Sequence, residues 1–202
     1  MVFGYIKEVL HSGMMWAHQK VFGSFGYYKN FENLTQEIPI SFFDLKSKDI
    51  DGNLFEFDQL QGKKAFLVVN VCSMWAITPR DYDQLSSLNK EFQSKGFEIL
   101  AFPSDDFFYQ EPGTGEGVKK FTAKKFPSGF TLFGKCNVNG PTADQVWVWL
   151  RANGPLWDED KKMGKQIPWS WSKFLVDRNG CVVRFGDPTD APETFREDIV
   201  GL

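Results

Sequence analysis

The sequence predicts an α/β fold: a central mixed β-sheet flanked by helices, with an N-terminal extension in front of it. Three observations carry that prediction. Ala65-Phe66-Leu67-Val68-Val69-Asn70-Val71 is a nearly continuous apolar, β-branched run of strand length, as expected for a strand covered on both faces. Between Pro79 and Lys95, the residues Tyr82, Leu85, Leu88 and Phe92 fall on one helical face. Phe97-Glu98-Ile99-Leu100-Ala101-Phe102 follows as a second strand, and strand, helix, strand at this length makes a right-handed βαβ unit with a parallel pair.

Taken in chain order, residues 1–36 read as the extension and 37–202 as the folded domain. In the extension Val2, Phe3, Ile6, Val9, Leu10 and Met14 recur at helical spacing with Lys7 and Glu8 off the apolar face, which predicts a short amphipathic helix. Acids are sparse there, as in a transit peptide, but such peptides are usually Arg-rich and this segment has no Arg. Ordering such a segment costs on the order of 1 kcal/mol per residue in backbone entropy, so it must bury compensating surface. Phe3, Trp16, Phe22 and Tyr27 are side chains able to supply it, and the expectation is docking on partner chains.

In the domain, Asp51-Gly52 between Phe42–Leu45 and Leu54–Phe57 signals a hairpin of two short strands. Thr78 is the expected N-cap of the first helix, Pro79 belongs to its first turn and Gly96 stops it. Helices are predicted over Gly117–Lys125 and Pro141–Arg151, the latter with Val146, Trp149 and Leu150 at helical spacing. Asn179-Gly180 turns a hairpin between Phe174–Val176 and Cys181–Phe185, and a last helix starts near Pro192. A βαβ unit followed by helices, a hairpin and a terminal helix is the order of a thioredoxin-like fold.

Composition bounds the function. The 202 residues, 42% hydrophobic and 24% charged, suffice for one domain with a substantial core. A net charge of -3 with dispersed Lys and Arg leaves no footprint for nucleic acid. The longest apolar runs are strand-sized, so a soluble or peripheral protein without a transmembrane segment is expected. Cys72, Cys136 and Cys181 form no CxxC pair or metal-ligand spacing, and a reducing compartment fits best. His11 and His18 are seven apart, not the four of a helical metal site, and Asp105-Asp106 offers too few ligands. No metal or cofactor is expected. The high aromatic content hints at an interface, and Trp147 and Trp157, lacking an obvious inward role, are candidate anchors for it.

Four ordered stretches carry a specific resemblance. They are Phe43-Asp44-Leu45 with Asp49-Ile50-Asp51-Gly52, then Val69-Asn70-Val71-Cys72-Ser73-Met74-Trp75-Ala76-Ile77-Thr78, then Ile99 through Gly113, and Pro168 through Gly180, joined by Val138-Asn139-Gly140. Together they resemble the glutathione peroxidase family, of the phospholipid-hydroperoxide or plant-like type, whose motifs include V-N-V-A-S-x-C-G-x-T and I-L-A-F-P-C-N-Q-F-G-x-Q-E-P-G.

The resemblance implies a peroxide-attacking cysteine or selenocysteine after the central strand, held as an anion by the following helix N-terminus and surrounded by Gln, Trp and Asn. That position is Trp75, whose indole has no nucleophilic lone pair. The Gln position is Asp106, the Asn position is Ser170, and only Trp169 matches the supporting set. Phe108 and Tyr109 replace small residues and are expected to fill space a hydroperoxide needs. Ser104 stands where many members have a Cys, and the Lys119–Phe126 segment lacks the resolving cysteine of plant-like members.

The expected function is thus a homologue without peroxidase activity, serving as an accessory subunit of a larger complex, with no catalysis expected at its degenerate positions Trp75, Asp106, Trp169 and Ser170. The competing reading is a weak thiol-dependent peroxidase in response to oxidative stress that uses Cys72, three residues before Trp75. A third is a binding module using the old pocket. Burial of Cys72 separates the second from the first, since a buried free cysteine is usually inert. A mitochondrial respiratory complex is the first expectation for the assembly and the cytoplasm the second location.

Overall fold

A computed structural model describes residues 31–125 and 129–202. The expectations for residues 1–30, including the amphipathic helix and the docking role of Phe3, Trp16, Phe22 and Tyr27, lie outside the described residues.

The first described residues already belong to the domain. Phe31–Glu32 (β1) pairs with a later strand, so the folded unit begins before the expected boundary at residue 37. Glu32 reaches the Arg151 guanidinium at 2.8 Å, and the Gln36 side-chain amide donates to the carbonyls of Pro141 and Ala143. The segment Phe42–Asp44, expected as a strand, is a 3₁₀ turn. Ser41 caps it by accepting from the Phe43 N–H while Asp44 accepts from the Ser41 N–H, a reciprocal closure that competes with strand pairing. The hairpin strands start later, at Lys46–Lys48 (β2) and Leu54–Glu56 (β3).

Ala65–Val71 (β4) is buried throughout. The helix Thr78–Phe92 (α1) leads through a 3₁₀ turn to Gly96, whose φ of 97° ends it, and into Phe97–Pro103 (β5). As predicted, β4 and β5 are parallel neighbours, with Ala65 opposite Phe97 and Val71 opposite Pro103. There follow Gly115–Lys125 (α2), Thr131–Leu132 (β6) and Gln145–Ala152 (α3). α3 starts four residues later than expected because Asp144 caps it, accepting from the Val146 N–H. Trp157–Asp158 (β7) and Met163–Lys165 (β8) form a hairpin, and β1 adds to its edge. Lys173–Asp177 (β9) and Val182–Gly186 (β10) make the Asn179-Gly180 hairpin, with Gly180 at φ 78°. The chain closes with a 3₁₀ turn at Pro192–Phe195 and the helix Arg196–Gly201 (α4).

The main sheet has the order β10-β9-β4-β5-β6, with β9 antiparallel to β4. Strand alternation sorts the side chains by face. On one face Phe102 stacks on Phe133 and meets Trp147 of α3, which also meets Phe174. On the other, Phe97 meets Phe92 of α1, and the buried Lys173 ammonium lies 3.7 Å from the buried Asp81 carboxylate. This is the thioredoxin-like arrangement that the order of elements predicts. Trp147 is fully buried between helix and sheet, so it is core and not an interface anchor. Its volume fills the space between α3 and the sheet, an inward role that spacing along the helix does not reveal. Trp157 is half-buried, and its Nε1–H donates to the Glu159 carboxylate.

Candidate functional site

The C-terminal end of β4, the loop 72–77 and the first turn of α1 place Trp75 where a parallel strand delivers the chain to a helix N-terminus. Trp75 is 8% exposed and packs its indole against Trp169, with ring centroids 6.4 Å apart. Trp169 also stacks on Phe107 at 5.3 Å and meets Phe108 at 5.5 Å. Four aromatic rings therefore occupy the ground around the nucleophile position.

Thr78 has a different task from the one expected. The helix is capped at Ile77 without a side-chain bond, while the Thr78 hydroxyl donates to the Cys72 carbonyl at 3.0 Å and accepts from the Trp75 N–H at 3.3 Å. It thereby ties the helix start to the strand end and fixes the loop carrying Trp75.

Cys72 is fully buried beneath that loop, with its sulfur 4.0 Å from the Thr78 hydroxyl and 3.9 Å from the Gln110 side-chain oxygen. Burial pushes its thiol up to about 12; the Ser170 hydroxyl opposes the rise, the Glu111 carboxyl adds to it, and the Thr78 hydroxyl opposes it in turn. Burial thus disfavours the thiolate, the form that attacks peroxide. Ser170 is buried beside it. Cys136 is half-buried and Cys181 exposed.

Asp106 does not act on this ground. Its carboxylate accepts from the N–H groups of Val138 (2.7 Å) and Asn139 (3.2 Å), stitching the loop after β5 to the Val138-Asn139-Gly140 turn. The carboxylate that raises the Cys72 thiol is Glu111. That residue is 1% exposed, accepts from the Ser73 hydroxyl at 2.6 Å, and has burial raising its carboxyl to about 7, with Ser73 and Lys135 opposing.

Gln110 and Glu111 are the site residues that the motif comparison missed. Gln110 is fully buried, its carbonyl accepts from the Met74 N–H, and its side-chain oxygen accepts the Trp169 Nε1–H at 3.1 Å. The one retained indole donor is thus engaged by an amide within the chain. Both residues lie in the quoted stretch Ile99 through Gly113, but nothing in their spacing distinguishes an inward amide from an outward one. Tyr109, expected to fill the pocket, is 80% exposed.

Among the described residues, no three His, Cys, Asp or Glu side chains are placed to hold a metal ion, and no helix is long and apolar enough to cross a membrane.

Comparison with known proteins bears on this geometry. Residues 42–151 match the family model described as glutathione peroxidase. The chain is 41% identical over 162 residues to glutathione peroxidase 1 of Helianthus annuus, covering 79% of this chain and 92% of that one. It is 40% identical over 166 residues to the glutathione peroxidase-like peroxiredoxin 2 of Saccharomyces cerevisiae, covering 80% and 96%. Two phospholipid hydroperoxide glutathione peroxidases of Arabidopsis thaliana, one named chloroplastic and one mitochondrial, are each 37% identical, and the chain spans only 65% and 68% of their lengths. In three dimensions it is similar to the crystal structure of Trgpx in apo form, with a TM-score of 0.63 and 28% identity over 81% of this chain and 95% of that one. A family match spanning more than half of the chain, and relatives near 40% identity over four fifths of it, agree with the β4–α1 site geometry: the chain belongs to the glutathione peroxidase family.

Proposed function

We propose that this member of the glutathione peroxidase family does not turn over hydroperoxides at its β4–α1 site and serves as an accessory subunit of a larger protein complex. The observation that carries the reading is Trp75: a nearly buried indole packed on Trp169 occupies the nucleophile position. Indole offers no atom that can accept oxygen from a hydroperoxide and be restored by a thiol. Cys72 lies below it, without solvent exposure and with its thiol held far above neutral pH. Residues 1–30 are the proposed attachment to partner chains. A mitochondrial complex is the first place to look, supported by the mitochondrial name of one Arabidopsis relative.

A second reading is a weak thiol-dependent peroxidase that uses Cys72. Its support is that the relatives carry peroxidase and peroxiredoxin names, which favour peroxide chemistry for the family as a whole. Thr78 and Gln110 also surround the Cys72 sulfur with polar atoms. Assaying the purified protein with hydrogen peroxide and a phospholipid hydroperoxide, with glutathione and with thioredoxin as reductants, decides between the two. No turnover supports the first. Turnover that disappears in Cys72→Ser establishes the second. Native purification with mass spectrometry then tests the accessory role, which fails if the protein migrates alone.

A further inference from the structure

The Glu32 carboxylate sits in a receptor assembled from three separate segments. Arg151 Nη2 donates to it at 2.8 Å, the Gly140 N–H reaches its two oxygens at 3.1 and 3.3 Å, and the Gln166 side-chain amide donates at 3.2 Å. A guanidinium, a backbone N–H and an amide, all acting as donors toward one point, are the set that recognises a carboxylate.

Bonds that do not involve Glu32 hold this receptor in shape. Arg151 is fully buried, and its guanidinium donates to the carbonyls of Lys165 at 2.9 Å and Gly164 at 3.4 Å, while Nη1 has no hydrogen-bond partner. Gly140 and Gln166 are brought together by their chain neighbours: the Asn139 side chain donates to the Ile167 carbonyl and accepts from its N–H, both at 2.9 Å. Asp106 in turn accepts from the Asn139 N–H. A buried cation in a frame already built needs a carboxylate, and the frame lowers the cost of binding one.

The ligand itself is held more lightly. Residues 31–36 lie on the domain as a strap in which nothing from Glu32 to Gln36 is buried, and the Glu32 side chain keeps 24% of its surface in solvent. The strap pairs with β8 through Phe31–Lys165 and Glu32–Gly164, and the Gln36 amide bonds the carbonyls of Pro141 and Ala143. A segment with so little buried surface opens at low free energy. Because β8 lies between β1 and β7, lifting the strap turns β8 into an open edge beside the receptor, and such edges accept an added strand. Gly164, opposite Glu32, adds a second requirement: a Cβ there would stand 3.3 Å from the Leu34 side chain. The glycine therefore leaves room for an aliphatic residue two positions after the acid.

We infer that Arg151, Gly140 and Gln166 form a receptor for a strand-borne carboxylate, with the chain's own Glu32 as resident ligand. An extended segment of a partner chain, carrying Glu and an aliphatic residue two positions on, takes the strap's place on β8. The partner rests on the accessory-subunit reading, whereas the receptor stands without it: a chain that binds such a segment yet migrates alone on native purification keeps the receptor and loses the accessory role.

The test is titration of the full chain carrying Glu32→Ala with a fluorescein-labelled peptide of the strap sequence, Phe-Glu-Asn-Leu-Thr-Gln, read by anisotropy. Saturable binding is expected, weakened about tenfold or more when the peptide has Gln for its Glu, and lost in Glu32→Ala/Arg151→Met. The unaltered chain should bind the peptide about tenfold more weakly than Glu32→Ala, because its own strap competes. Should Glu32→Ala not fold, Glu32→Gln replaces it, keeping the strap's shape without the charge. Absence of saturable binding, equal binding of the two peptides, or equal binding by the unaltered and substituted chains overturns the inference.

Discussion

The Trp169 indole donates its Nε1–H to the side-chain oxygen of Gln110 at 3.1 Å, and the two residues are 4% and 0% exposed. This bond joins the loop after β5 to the segment before β9 directly beside Trp75. It leaves the retained tryptophan of the family's supporting set committed to a neutral partner, so a thiolate introduced nearby would find that donor already engaged.

Trp75→Cys is accordingly expected to recover little peroxidase activity. Replacing a large, nearly buried aromatic also opens a cavity, costing about 3 kcal/mol of stability. Turnover coupled to glutathione or thioredoxin, read beside a urea melt of the same variant, checks both effects. Turnover comparable to that of active relatives would show that the supporting groups are intact.

Thiol labelling should follow burial. Cys181 is exposed, Cys136 half-buried and Cys72 inaccessible, so iodoacetamide should modify Cys181 first and Cys72 only on unfolding. Mass spectrometry of peptides over a time course reads the order. Early modification of Cys72 at neutral pH would show that its thiol is open to reagents and would strengthen the peroxidase reading.

Glu111 gives stability a definite pH dependence. Burial raises its carboxyl from 4.5 to about 7 in the folded state, against the partial opposition of Ser73 and Lys135. Between those values the folded chain keeps a proton that the unfolded chain has released, so stability falls as pH rises from about 4.5 to 7. The whole contribution amounts to roughly 3 kcal/mol. Glu111→Gln should flatten this slope while keeping a hydrogen bond to Ser73, as urea unfolding at a series of pH values would show. An unchanged slope would assign the dependence to other groups. Lys173, lowered by burial to about 8, works in the opposite sense and at higher pH, where stability should rise as its proton leaves.

The Glu32–Arg151 pair anchors β1. Arg151 is fully buried and its Nη1 has no hydrogen-bond partner, so Glu32→Ala would leave an uncompensated buried charge and cost about 3 kcal/mol. Glu32→Ala/Arg151→Met should regain most of that loss, because the uncompensated charge is then gone. A double-mutant cycle in urea measures the coupling, and additive losses would mean that the pair does not interact.

The elements and the family were legible in the sequence because both rest on local order. The apolar run 65–71, the helical face of Tyr82, Leu85, Leu88 and Phe92, and the Asn179-Gly180 turn each specify an element within a few residues. The indole at the nucleophile position was equally plain. Only the tertiary structure decided which side chains surround it. Asp106 and Glu111 are both acids of one loop, yet Asp106 turns out to the Val138 and Asn139 amides while Glu111 turns in to Ser73. Trp147 and Trp157 differ likewise, one enclosed by α3 and the sheet and the other at a hairpin edge. Residues 31–36 joined the domain through partners more than a hundred positions away. In each case the direction of a side chain is set by the amides, carboxylates and rings that packing brings to it from distant segments, and spacing along the chain carries no record of them.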